Sequence, residues 1–153
     1  MKKFLFSILS IFCFSALAVT VPADSLNSAV TPRNISKTIC VTGWTATVRP
    51  STSYTGKIKA SLMKQNGFDM STIDSYELDH IIPLSLGGNP KNPINLKLQS
   101  RTGADDADVK DGLERKLQCL VCSKKVTLRA AQKDIYTNWK NAASKYSSLS
   151  CKR

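Results

Sequence analysis

Imidazole and carboxylate are both scarce in this sequence, which holds one histidine, His80, and 11 acids against 22 lysines and arginines. A single C-x-x-C pair occurs, Cys119 and Cys122, with no histidine near it. That argues against a tetrahedral zinc site, which needs four soft or imidazole ligands together. The pair also follows an apparent helix and does not open one, so no helix dipole would lower a thiol pKa for redox work. No internal repeat or low-complexity segment is present. The extended apolar run from Phe4 to Ala18 is too short for a spanning helix. What remains is room for one domain with one core in 153 residues.

The first residues have another use. Lys2 and Lys3 precede the apolar run, and Ala16 and Ala18 supply small residues at its end. A charged start, a short apolar stretch and an A-x-A-like end describe a secretory signal spanning residues 1–18. Val21 and Ala23 offer a second cleavage site. Export predicts a periplasmic or secreted protein with no stable membrane insertion after cleavage. Residues 1–18 carry two lysines and no acid, so cleavage leaves +9 of the formal +11. Such an excess points to an acidic partner, nucleic acid or an anionic cell surface.

Cys13 would leave with the signal, and Cys40, Cys119, Cys122 and Cys151 stay. An even number in an exported chain predicts two structural disulfides with three possible pairings; Cys40–Cys122 is our choice for one bridge.

Residues 19–37, rich in Ser, Thr, Asn and Pro, suggest a flexible lead-in to a domain over 38–153. "TICVTGWTATV" (38–48) has the β-branched and aromatic content of one or two strands. "YTGKIKASLMKQNG" predicts a short helix with Thr55 as N-cap and Ile58, Leu62 and Met63 on one face. "YELDHII" (76–82) and "INLKLQ" (94–99) predict a hairpin with a long loop containing Gly87 and Gly88. Residues 104–120 predict a helix with Val109, Leu113, Leu117 and Leu120 inward. Residues 127–146 form the clearest helix, capped by Thr127, with Leu128, Ala131, Ile135, Trp139, Ala142 and Tyr146 in one apolar stripe.

The hairpin carries the chemistry. Hydrolysing a phosphodiester needs a base for the attacking water, a positive charge on the phosphate and leaving oxygen, and a scaffold that aligns both. His80 titrates near neutrality and suits the first task. Simple alternation points Asp79 and His80 to opposite faces, although twist or a bulge can bring both to one cleft. "LDHIIPLSLGG" followed by Asn95-Leu96 resembles the HNH nucleases, whose ββα-metal motif would span about residues 76–118. The resemblance implies an α+β fold, with a ββα-metal hairpin and helix embedded in a small, mostly helical, disulfide-stabilised domain. It implies that His80 activates water, that Asn95 hydrogen-bonds across the loop to hold the histidine strand, and that Asp79 binds a divalent metal. "GADDADVKDGLE" resembles a subgroup pattern that puts Asp106 in the place of the second ligand, with Asp105 its rival. An all-oxygen donor set of this kind favours Mg²⁺ or Mn²⁺.

Around these, Glu77 shares a strand face with Asp79 and is a candidate to support the metal site. Lys110, Arg115 and Arg49 are candidates to meet phosphate, and Lys57 and Lys59 could extend a basic track, although such residues usually form solvated faces. The expectation is an exported, monomeric, metal-dependent endonuclease. It would act on nucleic acid, DNA before RNA, with little sequence preference, since +9 acts on phosphate and not on bases. The alternative is a catalytically degenerate secreted module that binds nucleic acid or another polyanion without cutting it.

Overall fold

The structure is a computed structural model and describes residues 19–151. The expected secretory signal, with Cys13, lies outside the described residues. Elements follow in the order α1 (Trp44–Val48), α2 (Thr52–Gln65), β1 (Tyr76–His80), β2 (Leu96–Ser100), α3 (Ala107–Cys122) and α4 (Leu128–Tyr146), with short 3-10 turns between them. The strands form a two-stranded antiparallel sheet. The architecture is α+β and mostly helical, and among the described residues no helix is long and apolar enough to cross a membrane.

Helix α4 follows its sequence pattern. Thr127 Oγ1 accepts from the Ala130 amide at 3.2 Å, and the whole stripe from Leu128 to Tyr146 is buried. Midway, Asn138 leaves helical geometry at φ −166° and ψ 105°. Its side-chain oxygen accepts from the Asn141 amide at 3.0 Å, so the second half of the helix starts on its own cap. Leu113, Leu117, Leu120 and Val121 of α3 pack on this stripe together with Ile39, Ile82 and Leu86. Each such side chain contributes roughly 1.5–3 kcal/mol by leaving water.

The phase of α3 differs from expectation at one position. Val109 is 58% exposed and Lys110 is 1% exposed. Spacings of three and four allow either residue to continue the Leu113–Leu117–Leu120 stripe; the apolar residue would win on hydrophobicity alone. Lys110 takes the inward place because ionic partners wait there.

Residues 38–48 contain no strand. Among the described residues the sheet has two strands only, and a β-type run without a partner leaves its backbone groups unpaired. The segment turns at Gly43, where φ is 81°, and then winds into α1, whose end delivers Arg49. In α2 the cap is Ser51, with its hydroxyl accepting from the Tyr54 amide at 3.4 Å, one turn before the expected Thr55. The expected lead-in is also tied down. Leu26 bridges to Gly88, the Asn27 amide donates to the Gly87 carbonyl at 2.9 Å, and the Asn89 amide donates to Ser25 at 2.8 Å. Ser25 and Val30 are buried as a result.

Cys40 pairs with Cys122, as chosen from sequence, and Cys119 with Cys151. The C-x-x-C is thus divided between two bridges, one tying the N-terminal segment to the end of α3 and one tying the C-terminus to it. Two disulfides suit an oxidising compartment. The bridges close loops of 82 and 32 residues. Loop-closure entropy then predicts losses of roughly 4.5 and roughly 3.7 kcal/mol for the paired Cys→Ala variants. Urea melts of Cys40→Ala/Cys122→Ala and Cys119→Ala/Cys151→Ala against the parent check the size and the order.

Candidate active site

The loop between the strands is built to hold β1 still. Asn95 is fully buried. Its Oδ1 accepts from the Ile82 amide at 2.8 Å, while its Nδ2 donates to the carbonyls of Ile82 at 3.0 Å and Asn89 at 2.9 Å. A Cβ on Gly88 would stand 1.8 Å from the Ile82 carbonyl oxygen, so only glycine lets the loop pass this close. Asn95 and Gly88 meet the same peptide, the one two residues past His80.

His80 is 8% exposed, and its Nε2 lies 3.1 Å from the Pro90 carbonyl oxygen. A carbonyl only accepts, so Nε2 carries the proton and the neutral ring keeps its lone pair on Nδ1. Burial pushes the His80 pKa below its ordinary 6.5; the Pro90 carbonyl and Asp79 oppose this, and Arg49 and Lys110 add to it. The ring is therefore neutral at pH 7.

Beneath it lies a buried ionic cluster. Lys110 Nζ stands 2.8 Å from Asp79 Oδ2 without the alignment of a full hydrogen bond. It also donates to Glu114 Oε1 and, at 2.9 Å, to the backbone carbonyl of His80. Burial alone would lower the Lys110 pKa, but the charges of Glu114 and Asp79 outweigh it and hold the ammonium above its usual value. Burial pushes Glu114 up to about 7, with Asp79 adding and Lys110 opposing.

Glu77, Asp79 and His80 line one cleft of about 350 Å³ together with Arg49, Glu114 and Arg115. Alternation would separate Asp79 from His80. Both nevertheless line this one cleft, which also takes in Arg49 after α1 and Glu114 and Arg115 of α3. Glu77 pairs with Arg101 at 3.2 Å; burial raises its pKa, and Asp79 and Asp111 add to the shift.

Asp106 is elsewhere. It caps α3, its Oδ1 accepting from the Asp108 amide at 2.9 Å, and it is not among the residues lining the cleft. Its rival Asp105 pairs with Lys140 at 2.8 Å. Among the described residues, no three His, Cys, Asp or Glu side chains gather as a metal-holding group. The carboxylates of Asp79 and Glu114 already share one cation, the Lys110 ammonium. The donor set does not fit a divalent ion shared by Asp79 and Asp106. Lys110, a phosphate candidate in the sequence, is too buried to meet one, whereas Arg49 and Arg115 line the cleft.

The residue sequence reasoning passed over is Glu114. Its signal was the Lys110–Glu114 spacing of four, which puts both on one helix face one turn before the buried Leu117 and Val121. Comparison with protein-family models, curated proteins and solved structures finds no match to this chain.

Three outcomes follow from these contacts. Asn95→Ala strips three hydrogen bonds, two of them buried, and should cost about 3 kcal/mol in chemical denaturation. Asp106→Asn keeps the cap and should leave the melting temperature unchanged, whereas Asp106→Ala should lose about 1 kcal/mol. Glu114 has its folded pKa raised above the ordinary 4.5 to about 7. The folded chain thus binds more protons than the unfolded one between those values, and this group's contribution to stability falls as pH rises through that window. Thermal melts at pH 5 and pH 8 should show a smaller decline for Glu114→Gln than for the parent.

Proposed function

We propose that this protein is an exported phosphodiesterase of the HNH type that hydrolyses nucleic acid, with His80 as general base. The observation that carries the reading is the His80 ring, held through Nε2–H by Pro90 with its Nδ1 lone pair free for a water in a cleft flanked by Arg49 and Arg115. The order β1, β2, α3 and the Asn95 clasp support the same reading. In the reaction, Nδ1 takes a proton as the water oxygen bonds to phosphorus. The bond to the 3′ oxygen breaks, and that oxygen leaves with a proton from solvent, giving a 5′-phosphate and a 3′-hydroxyl. Arg49 and Arg115 bind the phosphate oxygens and offset charge in the transition state. The basic excess attracts nucleic acid without reading bases, so little sequence preference follows.

A second reading has an observation of its own. Asp79 is held by Lys110, and Asp106 is turned to a cap, which favours a module that binds polyanions without cutting them. The two separate on plasmid DNA incubated with purified protein at several salt concentrations. The hydrolase nicks it and His80→Ala loses at least about 100-fold in rate; salt-sensitive binding with no nicking, or an undiminished His80→Ala, overturns the hydrolase. The acid limb of kcat/KM should fall below pH 6.5, because the depressed His80 pKa keeps the base unprotonated to lower pH.

A further inference from the structure

We propose that the cation of this site is the chain's own Lys110 ammonium, which occupies the point between Asp79, Glu114 and the His80 carbonyl where a divalent ion would otherwise bind. The inference concerns the site of the proposed hydrolase and rests on that reading for its consequence, a base organised without a metal at Asp79.

Three contacts converge on Lys110 Nζ: Asp79 Oδ2 at 2.8 Å, the His80 carbonyl at 2.9 Å, and the closer Glu114 Oε1. All three are hard oxygen donors, two of them carboxyl oxygens on different elements, which is the donor chemistry a Mg²⁺ or Mn²⁺ ion selects. The side chain of Lys110 is 2% exposed and that of Asp79 is 11% exposed, so no second cation reaches their shared side without displacing the ammonium. Displacement would leave a charged lysine buried without its partners. A lysine this buried does not touch substrate; it is a positioning residue, acting through the Asp79 side chain and the His80 backbone. The four-carbon stem enters from α3, so the cation arrives with the helix. Folding alone places it.

Removing the ammonium while leaving the carboxylates should turn a lysine site into a metal site. Mn²⁺ binding to the full chain is followed by electron paramagnetic resonance, and melting temperature is recorded with and without Mn²⁺. The parent should bind Mn²⁺ no differently from Asp79→Asn. Lys110→Ala should bind it at least about tenfold more tightly and melt higher in its presence, since one positive charge within hydrogen-bond distance has gone. Adding Asp79→Asn to Lys110→Ala should abolish that gain. A folded Lys110→Ala that gains no Mn²⁺ affinity overturns the proposal. So does a parent whose Mn²⁺ binding weakens tenfold on Asp79→Asn, a comparison that stands even where Lys110→Ala fails to fold. Cleavage by the parent should persist in excess chelator, and cleavage that chelator stops overturns it. A parent that cuts nothing under any condition defeats the hydrolase reading instead and leaves the Mn²⁺ comparison to decide this one.

Discussion

A buried ammonium costs several kcal/mol unless it is fully paired, and the centre of this molecule is arranged around pairing one. Lys110 approaches Asp79 and Glu114 and donates to the His80 carbonyl. These contacts join α3 to the last two residues of β1, the strand residues on which the proposed chemistry depends. A paired ion of this kind adds little net stability over an apolar substitute, while breaking it leaves a costly orphan charge. Its effect on the fold is therefore to fix a position: β1 cannot slide along α3 without uncovering an ion.

His80 is held from three directions by groups of different kinds. Its carbonyl is fixed by Lys110, its ring by Pro90, and the peptide two residues later by Asn95. Gly88 lets the loop close on that same peptide. The ring is consequently set by backbone contacts on both sides of the loop, and His80 lines the cleft. Preorganisation of this sort matters because a base misplaced by an ångström loses much of its advantage.

Much of this was legible in the residues. Helix α4 was, because its stripe has a single phase and its cap a suitable side chain. The hairpin was, because Gly87, Gly88 and Asn95 are side-chain choices with few other uses at that spacing. The Cys40–Cys122 bridge also matched. Residues 38–48 were not legible, because β-branched content describes a side chain's fit to a pleated surface and says nothing of whether a partner strand exists. The phase of α3 was hidden for a related reason: Val109 and Lys110 both fit the spacing, and the winner was decided by Asp79, some thirty residues upstream. Asp106 looked like a ligand when aligned by pattern, but a carboxylate at the start of a helix has a local use that needs no third party.

The same cluster changes what the net charge means. A formal +11 attracts polyanions at a distance, within about a Debye length of 8 Å at physiological salt. At the cleft the balance differs: Glu77, Asp79, Asp111 and Glu114 face Arg49 and Arg115, with Lys110 beneath. Glu77 is paired with Arg101 at 3.2 Å, so the four carboxylates meet four cations and no basic excess remains at the cleft. Glu114, pushed up to about 7, carries a proton part of the time and tips this even balance toward positive. Long-range attraction and local acceptance are thus set by different residues. Under the proposed reading, surface lysines would raise encounter with nucleic acid, while acceptance of a phosphate beside His80 would depend on the charge of Glu114 and on Lys110, which shares its face of α3.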